Sequence, residues 1–143
     1  MVAFNKFESF VGDLGLKVHE LNADLLKVAL SNGAPAAANT IFANITDVSA
    51  GNGYTAGGED TTNTYSEASG TGTLAGTKVV WTAAGGTIGP FRYVVLYNDT
   101  PTSPADPLIG WWDHGSAVTL AAGETYSVKF NNSETTGNII TIA

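Results

Sequence analysis

The run from Thr87 to Tyr97 limits what this chain can become more than any other stretch. Phe91, Tyr93, Val95 and Tyr97 alternate with Arg92, Val94 and Leu96, and side chains two apart along a strand share a face. One face therefore carries Phe91, Tyr93, Val95 and Tyr97, and the other carries Val94 and Leu96. A strand apolar on both sides lies in the middle of its sheet or is covered on its second side by another element. Tyr93 is expected in the core with its neighbours.

The same period of two recurs along the chain. Asp24 to Leu30 sets Leu26, Val28 and Leu30 against Lys27 and Ala29, and Lys78 to Thr82 sets Val79 and Trp81 on one face. Leu108 to Trp112 and Asn138 to Ile142 read as further strands. Ala117 to Leu120 and Glu124 to Phe130, joined by Ala121-Ala122-Gly123, read as a hairpin whose buried face is Tyr126, Val128 and Phe130. Gly and Pro punctuate the intervals: Ser31 to Pro35, Ala83 to Gly86, and Asn98 to Pro107 with its three prolines. About eight short strands bounded by turns predict an all-β fold, a β-sandwich or jelly roll. A chain of 143 residues suits one domain, 1–143.

Two regions depart from this pattern. Within 1–22, Phe4, Phe7, Phe10, Val11, Leu14, Val18 and Leu21 recur at spacings of three and four, which fits one face of a short N-terminal helix. Gly12 and Gly15 weaken it by about 1 kcal/mol each relative to Ala. Such a helix either caps an open end of the core or serves as an arm to a neighbouring subunit. Residues 48–76 are rich in Gly, Thr, Ser and Asn. They read as a long ordered loop with short strands near Thr62 to Ser69 and Thr71 to Ala75. A single helical turn is expected around Thr40 to Ala43.

Charge excludes several functions. The net charge is -7, and no Lys or Arg lies between Lys27 and Lys78. Phosphate contacts come largely from Lys and Arg, so neither direct nucleic-acid binding nor docking on an anionic membrane is expected. No apolar stretch approaches the ~20 residues of a spanning helix. The N-terminus lacks the continuous apolar core of a signal peptide, because Glu8 and Asp13 interrupt it. Only 13% of residues are charged. A surface so lightly charged resists association poorly; it belongs either to a protein that buries itself against partners or to a stable β domain with a hydroxyl-rich face.

Catalytic chemistry is sparse. The two histidines are His19 and His114, and cysteine is absent. Asp113-His114 is the most suggestive pair, but neighbours in a strand point to opposite faces. His114 is better suited to a hydrogen-bonded turn or an interface. Asp99 and Asp106 in one loop, and Glu59-Asp60 in another, do not match a calcium loop. No catalytic residue, cofactor or metal site is assigned. Trp111 and Trp112, if extended, cannot both face one core. Together with Trp81 they are candidates for core or covering contacts, for a subunit interface or for a sugar platform.

Gly89-Pro90-Phe91-Arg92-Tyr93-Val94-Val95-Leu96-Tyr97-Asn98-Asp99, Pro107-Leu108-Ile109-Gly110-Trp111-Trp112-Asp113-His114-Gly115 and Val118 to Tyr126 resemble small virion proteins of tailed bacteriophages and prophages. Asp24 to Asn32 and Gly51 to Gly58 are similar to the same group. The resemblance implies a capsid cement (decoration) protein, non-catalytic, bound to the outside of the shell and bridging major capsid protein subunits. It also implies assembly in the host cytoplasm as a homodimer or homotrimer. Candidate interface residues are Phe4, Phe7, Phe10, Tyr54, Trp111, Trp112 and His114. The alternative is a carbohydrate-binding β-sandwich module associated with a tail or fibre.

Overall fold

The computed structural model describes residues 2–143. It is a β-sandwich of ten strands, β1 Asn5–Lys6, β2 Leu26–Ser31, β3 Glu59–Thr61, β4 Asn63–Ala68, β5 Thr71–Thr77, β6 Val79–Thr82, β7 Ile88–Asn98, β8 Leu108–Leu120, β9 Thr125–Val128 and β10 Thr136–Ile142. One helix, α1, spans Ser9–Gly15. The first sheet has the order β1-β8-β7-β2-β3. Facing it are the three strands β10-β5-β4 and the pair β6-β9.

Strand β7 sits at the centre of the first sheet, antiparallel to β2 on one side and β8 on the other. Its two faces serve two cores. Val94 and Leu96 join Leu26, Val28, Leu30 and Trp112, and these pack against Leu74, Val79, Trp81, Val128 and Phe130 of the second layer. Val95 and Tyr97 point the other way, with Ala29 and Leu108, and are covered by Phe7, Phe42, Ile45 and Trp111. The cover is tied down by backbone bonds: Phe42 N–H donates to Asp106 O at 2.9 Å, and Leu108 N–H to Thr40 O at 3.0 Å. Phe42 stacks on Tyr97 with ring centroids 4.2 Å apart.

The face shared by Phe91 and Tyr93 on paper is not shared in the fold. The ladder between β7 and β8 slips on both sides of Phe91. The slip turns Phe91 into the main core, fully buried, and leaves Tyr93 half-buried beneath the Arg92 guanidinium, 5.5 Å from its ring centroid. A bulge of this kind shifts the alternation by one residue; Gly89-Pro90, inside β7 just before Phe91, is the sign of a break in the ladder, but not of which residues change face.

The hairpin expected from Ala117 to Phe130 is also replaced. Strand β8 extends for 13 residues and pairs with β7 at both ends of a break at His114 to Ala117. The turn at Ala121-Ala122-Gly123 then carries the chain across to the second layer, where β9 pairs with β6. Gly123 N–H donating to Ala83 O at 2.7 Å and Ala83 N–H donating to Glu124 O at 2.9 Å fasten the crossing.

The N-terminal helix is shorter than its apolar spacing suggested. Asn5–Lys6 is extended and pairs with Gly110 and Trp111 of β8, and only Ser9–Gly15 is helical. Gly110 explains the choice: a Cβ there would lie 2.2 Å from the Phe4 ring, so the bare backbone makes room for the strand and its aromatic cover. The region 48–76 is more regular than a loop. It holds β3, β4 and most of β5, and only 48–58 lacks strands. That segment is pinned by two tyrosines. Tyr54 Oη accepts from Leu30 N–H at 3.0 Å and donates to Asp47 Oδ1 at 2.5 Å. Tyr97 Oη donates to Gly57 O at 2.7 Å.

The slip at Phe91 makes a direct prediction. Phe91→Ala should destabilise the fold by about 3–5 kcal/mol, and Tyr93→Ala by no more than about 1 kcal/mol, as for a side chain outside the packed core. Equilibrium unfolding in urea checks both, and equal losses would place Tyr93 back in the core.

Candidate functional site

The sequence candidates divide into those the chain buries for itself and those it leaves open. Phe7, Phe10, Tyr54 and Trp112 are all below 5% exposed. They are packed against the chain's own residues, and Phe10 and Trp112 keep only a sliver of surface in the walls of two grooves. Trp112 packs edge-on against Phe4 at 5.2 Å and against Phe130 at 5.6 Å. Trp111, one residue earlier, lies on the opposite side of the sheet, 4.5 Å from Phe7 and only half-buried. Trp81 is enclosed in the main core. The three tryptophans therefore form no common platform. Of the seven candidates, His114 is exposed and Phe4 and Trp111 are partly so.

Asp113 and His114 do not act as a pair. Asp113 is taken by Arg92, whose Nε donates to Oδ1 at 2.8 Å and whose Nη2 donates to Oδ2 at 3.1 Å. Arg92, and after it the Gly115 N–H, hold the Asp113 carboxyl below its ordinary range. The acidic loops are arranged around a side-chain cation: Lys27 Nζ lies 3.9 Å from Asp60 and 3.5 Å from Asp99. Among the described residues no group of three or more His, Asp or Glu is placed to hold a metal ion. Among the described residues no helix is long and apolar enough to cross a membrane.

The most developed concavity lies at one side of the sandwich, between β8 and β9. Strand β1 covers β8 only at Gly110 and Trp111, so from Trp112 onward that edge of β8 has no partner strand. Strand β9 pairs with β6 alone. A groove of about 350 Å³ lies between Trp112 and His114 of β8 and Tyr126 to Val128 of β9. Val94, Trp112 and Val128 form its apolar depth, and His114, Tyr126 and Asn132 stand at its mouth. Tyr126 is positioned edge-on by Phe91 at 4.8 Å, and the His114 ring meets it edge-on at 6.1 Å. Burial raises the Tyr126 phenol pKa. His114 Nδ1 lies 3.3 Å from Ser116 O. With Nδ1–H donating there, Nε2 is left as an acceptor.

Sequence reasoning found His114 and Trp112 but not their companions. Tyr126 read as an inward residue of a hairpin that does not form. Asn131 and Asn132 carry φ values of 50° and 56°. Two successive asparagines before a serine were the available signal, since Asn tolerates that left-handed region better than most residues.

The other histidine is structural. His19 is 5% exposed, beside Phe10. Its Nδ1 accepts from Asn98 Nδ2 at 3.1 Å, and its Nε2 is buried without a partner.

Comparison with known proteins returned no matching family model, no matching curated protein and no matching solved structure. The site is therefore read from its own geometry.

A pH dependence follows from His19. Burial lowers its pKa below the ordinary 6.5, outweighing Asp13 and Asp24, which raise it. The unfolded chain then binds the proton more readily than the folded one, so stability is full above 6.5 and falls as pH drops from there toward the folded-state value. The melting temperature should decrease between pH 7.5 and pH 5.5, and His19→Gln should flatten that slope. A wild-type melt with no change across the interval would remove His19 from this role.

Proposed function

We propose that this chain is a non-catalytic structural protein of a phage particle, a cement protein that binds the outside of the capsid and bridges major capsid protein subunits. The observation that carries the reading is an apolar face left open at the end of the sandwich. Leu16 is 79% exposed and Val11 57% exposed, far more than a monomer's apolar side chains need be. Val11 lines a groove of about 310 Å³ between α1 and the C-terminal strand, together with Phe10, Leu14, Ile140 and Ile142, and Leu16 lies just past the end of the same helix. No Asp or Glu side chain lines that groove, and Lys6 is its single charged side chain, although the chain as a whole carries -7. An apolar patch set apart from the charge is the usual mark of a protein contact.

The strand beside it strengthens the reading. β10 is an edge strand with β5 as its one partner, and an unpaired edge is a template for another chain. The low overall charge lets large neighbouring surfaces approach closely. Many copies on one shell would turn modest individual contacts into a strong clamp, because linked contacts act at high effective concentration. The sequence resemblance to virion decoration proteins favours the major capsid protein as the partner, with further copies of this chain completing the bridge.

The test is direct. Purified protein mixed with undecorated capsids should add ordered density to the outer surface and raise the temperature at which shells open. Leu16→Asp and Val11→Asp should abolish that density while leaving the melting temperature of the free protein within a few degrees, since both side chains are exposed. Shells without added density and with unchanged stability would overturn the proposal.

A further inference from the structure

The groove between β8 and β9 lies apart from the α1–β10 face, and it has the chemistry of a small-molecule site. We propose that it binds a saccharide, taking one neutral pyranose ring.

Size, lining and charge each narrow the class of ligand. About 350 Å³ falls at the small end of ligand pockets, room for a single ring. The lining is split: apolar and aromatic groups at depth, and polar groups at the mouth. That division matches a pyranose, whose C–H face packs on aromatic rings through their negative π-faces while its rim of hydroxyls seeks hydrogen bonds. A purely apolar ligand would leave Asn132, Ser127 and the His114 Nε2 acceptor without partners at a cost.

An anion is disfavoured. Lys129 is the one cationic side chain lining the groove other than a protonated His114, and its Nζ is engaged by Glu134 Oε1 at 2.5 Å. Glu134 is in turn held below its ordinary pKa by Lys129 and Lys78, and its carboxylate sets a negative charge beside the Lys129 ammonium. What remains at the mouth carries no carboxylate: the His114 imidazole, a hydroxyl at Ser127, and both a donor and an acceptor at Asn132.

The backbone supplies an independent observation. Asn131 and Asn132 form the end of the 3₁₀ turn Phe130–Asn132, and both hold positive φ. Two consecutive non-glycine residues in that region cost backbone energy, and such strain concentrates where a side chain must be aimed. Here the effect is to set Asn132 at the rim of the groove, fixed beneath by the buried Phe130.

The experiment is a screen of neutral glycans with the purified, full-length protein, followed by nuclear magnetic resonance titration with methyl glycosides of glucose, galactose, mannose and N-acetylglucosamine. Binding should shift the Trp112 indole N–H, the His114 ring and the Asn132 side-chain amide together. Asn132→Gly, which keeps the positive φ, and His114→Ala, at an exposed position, should each weaken binding by about tenfold with the fold intact, the loss of one well-made hydrogen bond. No neutral glycan bound, shifts that fall elsewhere, or affinity unchanged in both variants would overturn the proposal. Preference for glucuronate over glucose would overturn its neutral character.

Discussion

Strand β7 must be buried on both faces, and the rest of the architecture follows from that demand. Val94 and Leu96 need one layer and Val95 and Tyr97 need another. The second sheet supplies the first. The other has no sheet opposite it; it is made from irregular chain, with Phe7 from the N-terminal segment and Phe42 and Ile45 from the connection after β2. Irregular chain carries backbone groups that require partners, which is why this cover is stitched to the strands by Phe42 N–H, Leu108 N–H and Phe7 N–H. Separate contacts fix the glycine-rich segment. Gly58 lies so close to β2 that a Cβ would sit 1.9 Å from Val28 O, and Asp47 closes the other end by accepting from Gly57 N–H at 2.7 Å.

Periodicity revealed the strands because each buries a face, and a buried face repeats every second residue. Leu26, Val28 and Leu30 were legible for that reason, as were Val79 and Trp81. Three things were not. The slip at Phe91 changes which residues share a face without changing the residues. The destination of β9 depends on which sheet needs a strand, and Ala121-Ala122-Gly123 reads the same in a hairpin and in a crossing between layers. The spacing of Phe4, Phe7 and Phe10 satisfies a helix, yet it also places Phe4 against Trp112 and Phe7 against Trp111, on opposite sides of β8. For the groove, His114 and Trp112 stood out as residue types, whereas Tyr126 and Asn132 join them only through the crossing that brings β9 beside β8.

The groove exists because the sandwich is left unfinished on that side. Because the two strands run antiparallel with Asn5 opposite Trp111, pairing along Trp112 and beyond would need the residues before Asn5 to join the strand. Strand β1 starts at Asn5 instead, and the edge of β8 stays open there. Open edges invite unwanted pairing, and here the geometry limits it. β8 and β9 belong to different layers, their edges are separated by the groove, and Gly115 with φ of 99° bends β8 at its exposed stretch. The result is a concave site in place of a flat adhesive edge. The edge of β10, by contrast, borders exposed apolar side chains.

The N-terminal segment borders both surfaces, with Val2 at the β8–β9 groove and Lys6 and Phe10 at the α1–β10 face. Whether it is a cap or a free arm therefore decides how each surface is held. Releasing it would expose Phe7 and Phe10, now 0% and 2% accessible, at about 1.5–3 kcal/mol each. It would also uncover part of Trp111 and Trp112 and break the β1 pairing. That sum is comparable to the whole stability of a small domain, about 5–15 kcal/mol. An arm that swung out to a neighbouring subunit would have to recover all of it there. Docking through Val11 and Leu16, which are already exposed, requires no such exchange, so the segment serves as a fixed wall and presents its outer face as it stands.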